Sequence, residues 1–291
     1  MGKVTHQLRN ENQKNITRIF DRLSQRNSRW TVWSDFVVMS AISISNTVDK
    51  VNEQSREQLY MDTIKKYTKA ELLEFAQMIA ELVMGMERNP NCDFLGELFM
   101  MLELSNAQNG QFFTPYSVCS AMAKLTIMDE LHSKIETEGW VSVNDCACGA
   151  GALLIAFANE CKEQNINYQR SVLFVAQDLD YTAAMMCYLQ LSLMGCPGYV
   201  VVANTITNPV TTYDRKGLLP RDGQNIWYTP FYFTEIWQGR TICASIDRMF
   251  HQMPKPAPAE VKEEQQEITV TQSTKTDYPI NETKAGQLTL F

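Results

Sequence analysis

Apolar positions recur at helical spacing through the N-terminal third of the chain. From Asn15 to Leu23, Ile16, Ile19, Phe20 and Leu23 share one face at spacings of three and four. Arg18, Arg22 and Arg26 fall on the opposite face, with Arg29 one turn further on. That row reads either as the solvated side of an amphipathic helix or as a phosphate-contacting stripe. Further helical patterns run through Trp33 to Val48, Ser55 to Tyr67, Lys69 to Met86 and Asp93 to Leu104. Another covers Ser117 to Ile127, after a loop at Gly110 to Pro115. From Trp140 the pattern changes to alternating strand and helix. Val141 to Val143 reads as a strand, Ala152 to Asn159 as a helix, and Ser171 to Gln177 as a buried strand in an unbroken apolar run. Tyr181 to Met194 predicts a helix and Tyr199 to Ala203 a third strand. This alternation implies an open α/β sheet with ligands at the carboxyl ends of its strands.

Beyond Asn208 the pattern becomes irregular, and from Met253 it gives way to Pro, Glu, Gln, Thr and Lys. Such a stretch buries too little surface to offset its ordering entropy, so it reads as disordered. The organisation expected is a helical region at 1–108, an α/β domain at 109–252 and a tail at 253–291.

Composition narrows the function. The 291 residues carry a net charge of −7, which argues mildly against a dedicated nucleic-acid binder. The basic residues concentrated near the N-terminus soften that argument. The eight cysteines form no paired CxxC pattern, and Cys146 and Cys148 have no nearby histidine, so reduced thiols are expected and no metal site. The polar N-terminus lacks a signal-peptide pattern, and no apolar run is long enough to span a bilayer, so a cytoplasmic protein is expected.

The chemistry concentrates at VSVNDCACGAG, Val141 to Gly151, and at GQFFTP, Gly110 to Pro115. A strand that ends in a glycine loop and opens a helix is a place to hold a nucleotide-like cofactor. The glycines allow close backbone approach and the helix start offers unpaired N–H groups. With FLGELFMML before them and AQDLD and VVANTITNP after, these segments resemble the adenine-N6 DNA methyltransferases, nearest to the modification subunits of type I restriction systems. The resemblance covers Asp93 to Pro209. It implies a class I S-adenosylmethionine-dependent methyltransferase sheet of Rossmann-like kind, truncated here, behind an N-terminal helical region.

The resemblance also implies a cofactor site. Gln111, Phe112, Phe113, Thr114 and Pro115 would wall the methionine end of S-adenosylmethionine. Asp145 would lie near its ammonium, and Ala147, Cys148, Gly149 and Gly151 would wrap it. Asp178, closing the second strand, is placed to accept both ribose hydroxyls, with Asp180 as the fallback. Asn204 would sit near the adenine. Each residue alone has a plainer reading, Asp178 as a helix cap and the phenylalanines as core.

The chain departs from the family at the catalytic tetrapeptide, (Asn/Asp/Ser)-Pro-Pro-(Tyr/Phe). There a polar side chain and a proline carbonyl align the target amine, and an aromatic ring stacks on the flipped base. Asn208-Pro209-Val210-Thr211 lacks the aromatic. Tyr228-Thr229-Pro230-Phe231 keeps Pro-Phe, making Tyr228, Pro230 and Phe231 the candidate catalytic residues, against a plain reading as core. Two readings stay open: an adenine-specific DNA methyltransferase of restriction-modification or mobile-element origin, or a degenerate fold that binds DNA or a partner without methyl transfer. With no room for target recognition, a separate specificity subunit is a candidate partner. The last residues, Gln287, Leu288, Thr289, Leu290 and Phe291, look like a bacterial sliding-clamp-binding peptide. An extended peptide there could bury its apolar side chains in a groove, with Gln287 fixing register.

Overall fold

The computed structural model describes residues 11–104, 113–127, 129–210, 214, 216–252, 281–282 and 288–289. Five helices open the chain: α1 (Glu11–Leu23), α2 (Arg29–Val48), α3 (Glu53–Ile64), α4 (Lys69–Arg88) and α5 (Phe94–Met101). The apolar face read on α1 is buried at Ile16, Ile19, Phe20 and Leu23. The arginines of the opposite face stay exposed yet meet acids: Arg22 pairs with Glu74 at 2.9 Å and Arg26, just past α1, with Glu71 at 3.3 Å, both on α4. Arg29 pairs with Asp21 at 2.8 Å. These ion pairs favour the solvated-face reading over the phosphate stripe.

Next come α6 (Tyr116–Thr126), α7 (Asp129–Glu138), β1 (Val141–Asp145), α8 (Ala152–Glu163), the single turn α9 (Tyr168–Ser171), β2 (Val172–Asp178), α10 (Tyr181–Leu193) and β3 (Gly198–Val202). β1, β2 and β3 are parallel neighbours in that order. The apolar run of β2 is buried on both faces. Val172, Phe174 and Ala176 join the core shared with the helices, while Leu173 and Val175 join a smaller cluster with Tyr199 and Trp237. α10 is buried nearly all round because it lies against the sheet and also against α2, where Ser34 and Thr182 hydroxyls meet at 3.3 Å. Helical region and sheet thus form one compact unit, Met1–His251.

Two elements fall where the sequence read as irregular. β4 (Asn225–Tyr228) pairs antiparallel with β3, and α11 (Glu235–Gln252) follows a 3₁₀ turn at Pro230–Phe233. The second unit is Gln252–Phe291. Its described residues are two short strands, β5 (Asn281–Glu282) and β6 (Leu288–Thr289), paired antiparallel. No described helix is long and apolar enough to cross a membrane.

All eight cysteines are free, and Cys146 and Cys243 alone are exposed. A thiol reagent applied to the native protein is therefore expected to label two positions, and the remaining six only after denaturation. Fast labelling of Cys148 or Cys187 would contradict their burial.

Candidate cofactor site

The loop after β1 is fixed from several sides. The Asp145 carboxylate accepts the Ala147 N–H at 3.2 Å, and the Cys148 N–H donates to the Gln177 carbonyl at 3.0 Å. The Gly149 N–H donates to Oδ2 of Asp178 at 2.8 Å, and Oδ1 of Asp178 accepts the Asp180 N–H at 2.9 Å. Asp178 thereby clamps the glycine loop to the end of β2, and each oxygen keeps a lone pair for a further donor. Asp180 instead caps α10, accepting the Ala183 N–H at 2.8 Å. The cap is therefore made by the acid named as the fallback ribose ligand.

The two glycines are required by conformation and by space. Gly149 and Gly151 have φ of +52° and +96°. A Cβ on Gly149 would lie 2.9 Å from the Phe113 ring, and one on Gly151 would lie 2.9 Å from Sγ of Cys187. Phe113 therefore sits directly over the glycine loop, supported by Phe99 at 5.3 Å between ring centres.

A cavity of about 300 Å³ opens here, walled by the loop from Ala147 to Ala150, by Phe113 and Thr114, and by Asp145 and Asp178. Of the residues named from sequence, Phe113, Thr114, Asp145, Ala147, Cys148, Gly149 and Asp178 line it. Pro115 lines the adjoining cavity, of about 500 Å³, and Gly151 opens α8 just behind the loop. Gln111 and Phe112 lie outside the described residues. Asn204 is exposed and off the cavity wall, its side-chain oxygen accepting the Ile206 and Thr207 N–H groups at 2.9 and 3.2 Å. The neighbouring Thr205 hydroxyl ties that loop to the Cys146 carbonyl at 2.5 Å.

The cavity wall also holds residues that the motifs did not single out, chiefly Asp93, Cys119, Met122 and Leu153. Asp93 is fully buried, and burial pushes its carboxyl up to about 6 despite hydrogen bonds from Gln190 and the Gly96 N–H. Gln190 Nε2 donates to Asp93 at 2.8 Å and to the Ala150 carbonyl at 2.8 Å, and its oxygen accepts the Leu95 N–H at 3.1 Å. Burial raises the Asp145 carboxyl too, opposed by the Ala147 N–H and reinforced by the charge of Asp178. Burial also pushes the Cys119 thiol up to about 11. Among the described residues three carboxylates thus face this space, and no Lys, Arg or His lines it. At the same end of the sheet, Leu179 and Ile206 are 70% and 91% exposed.

The candidate catalytic residues lie elsewhere. β4 runs antiparallel to β3, so Tyr228 pairs with Tyr199 at the amino end of the parallel strands, opposite the cavity. The Tyr228 ring stacks on Tyr232 at 4.8 Å, and the Thr229 hydroxyl donates to the Cys196 carbonyl at 2.7 Å. Pro230 starts the 3₁₀ turn, and Phe231 packs beside Gly195. The structure does not bring Tyr228, Pro230 or Phe231 to the cavity. Asn208 does lie beyond the carboxyl end of β3, but its side-chain oxygen accepts from Arg221 at 3.2 Å and Gln224 at 2.9 Å. Gln287, Leu290 and Phe291 of the terminal peptide lie outside the described residues, and Leu288 is described only as backbone of β6. Among the described residues no group of His, Cys, Asp and Glu could hold a metal ion.

The sequence model for N-6 DNA methylases matches residues 93–262. Among solved structures, the chain is similar to the type I restriction-modification system methyltransferase subunit from Streptococcus thermophilus, at 16% identity and a TM-score of 0.38. That match covers 68% of this chain and 41% of the other, so the chain spans well under half of that relative's length. A search of curated proteins returned no match.

Proposed function

The chain belongs to the N-6 DNA methylase family, and on that premise we propose that it binds S-adenosylmethionine and methylates adenine at N6 in DNA. The observation that carries the cofactor assignment is the sign of the cavity wall. A glycine loop at the carboxyl ends of parallel strands would suit several nucleotide ligands. Phosphate-bearing ones add negative charge to a wall whose charged side chains, among the described residues, are the acids Asp93, Asp145 and Asp178. S-Adenosylmethionine carries a sulfonium and an ammonium against a single carboxylate, so it matches an acidic wall. Asp178 would hold the ribose hydroxyls, Asp145 would face the ammonium, and the exposed Leu179 and Ile206 would cover the adenine. Phe113 and Thr114 would close the methionine end. When bound, the cofactor supplies the methyl group and its leaving thioether.

A second reading has an observation in its favour. Tyr228, Pro230 and Phe231 lie at the end of the sheet remote from the cavity, which suits a protein that binds the cofactor and DNA or a partner without methyl transfer. Labelled S-adenosylmethionine, unmethylated DNA and nucleoside analysis separate the two. Label in N6-methyladenine supports transfer, and saturable cofactor binding without label supports the second reading. Failure to bind the cofactor at all overturns the first reading. A separate specificity subunit and a sliding clamp docked on Gln287 to Phe291 belong to the same proposal. Leu288→Ala with Phe291→Ala is expected to abolish clamp binding, and unchanged affinity would remove the clamp from it.

A further inference from the structure

We infer that Asp93, outside the glycine loop and the FTP segment, binds the amino-acid end of the cofactor through its carboxylate and selects ligands that carry an ammonium there. The inference rests on the cofactor reading above.

Asp93 has an evident structural task as the cap of α5, accepting the Gly96 N–H at 2.9 Å. That task does not explain its charge, because Asn or Ser caps a helix as well as Asp. At 3% exposure a carboxylate needs a compensating cation. Among the described residues no cation acts on it, and the charge in its field, Glu97, has the same sign. Yet the residue is on the wall of the cofactor cavity and also of the adjoining one, and Phe113 lines both with it. Gln190 holds it to the Ala150 carbonyl, so the acid and the loop are positioned together.

Asp93, Asp145 and Asp178 line one cavity. A ligand whose ribose engages Asp178 therefore has Asp93 on the same wall, where a terminal ammonium would meet the uncompensated charge.

The test is binding calorimetry with three probes: S-adenosylmethionine, S-adenosylhomocysteine and methylthioadenosine, which lacks the amino-acid end. Asp93→Asn keeps the cap and removes the charge. It is expected to weaken the first two by about tenfold or more, the size of a lost charge-assisted hydrogen bond, and to leave methylthioadenosine unchanged. Equal loss of all three would show a purely structural residue and overturn the inference, as would no loss. If the wild type binds none of the three, the cofactor reading itself fails and this inference with it. Asp93→Ser repeats the test with a smaller capping residue should the asparagine variant not fold.

Thermal melts add a readout that a cap alone would not move. The carboxyl sits near 6 in the fold, above its ordinary 3.8. Its contribution to stability is therefore present below the ordinary value and is lost as pH rises through about 6. Of the groups facing it, Glu97 on α5 is a charge of the same sign, Gln190 on α10 is neutral, and burial moves Tyr116 and Cys119 on α6 to higher pH. Asp93→Asn is expected to gain in melting temperature over the wild type between about pH 4 and pH 8. A variant that only loses stability at pH 8 would overturn the claim that the charge is uncompensated.

Discussion

Replacing Arg56 by alanine is expected to lower the unfolding free energy by about 3–5 kcal/mol, the usual effect of stranding one partner of a buried ion pair. Arg56 and Asp49 are both nearly inaccessible and meet at 2.6 Å. The guanidinium also contacts the Ser45 hydroxyl, donates to the Ile226 carbonyl at 2.7 Å, and lies 4.0 Å from the centre of the Trp227 ring. One side chain on α3 thus joins the end of α2 to β4. Its removal leaves the Asp49 carboxylate buried beside Ser45 with only local donors such as the Val51 N–H, 3.2 Å away. Urea melts would measure the loss. Asp49→Ala added to Arg56→Ala is expected to recover part of it, since the stranded charge then disappears. A loss below about 1 kcal/mol would mean that the pair is hydrated in solution.

Asp178→Ala is expected to reduce S-adenosylmethionine affinity by at least about a hundredfold. The alanine removes the proposed ribose acceptor and also two charge-assisted bonds from the Gly149 and Asp180 N–H groups. At roughly 1.5–3 kcal/mol for each bond to a charged group, losing two of them exceeds the required energy. The loop would then leave its bound shape before any ligand arrives. Asp178→Asn should fall between the two proteins, because one amide oxygen can hold one of the two N–H groups. Calorimetry on the three proteins would measure this, and equal affinities would place the ligand elsewhere.

The contrast between Asp178 and Asp93 shows what the sequence makes legible. Asp178 ends an apolar strand and follows a glycine loop by a familiar interval, so its position is local information. Asp93 opens an amphipathic helix, as many capping acids do, and its place on the cavity wall arises only when α5 packs against α10. The same distinction runs through the fold. β2 and α10 are long apolar segments whose period identifies them. α7 offers Leu131 and Ile135 among polar residues, and β4 offers four residues after a loop, too little pattern for either. Neither periodicity nor spacing encodes strand direction. For that reason Tyr228-Thr229-Pro230-Phe231 could stand as a catalytic candidate until β4 was found to run antiparallel to β3.

The burial of α10 on two sides sets a limit on where this protein can be divided. The family match begins at residue 93. The physical domain does not, because α2 covers the face of α10 that turns away from the sheet. A polypeptide starting at Asp93 would keep every cofactor-wall residue named above, yet it would uncover Thr182 and Tyr188 on α10 and lose the Arg56 tie to β4. The helices before the matched segment are therefore the other half of its hydrophobic interior, and excising the matched part alone would yield a chain without a solvent boundary.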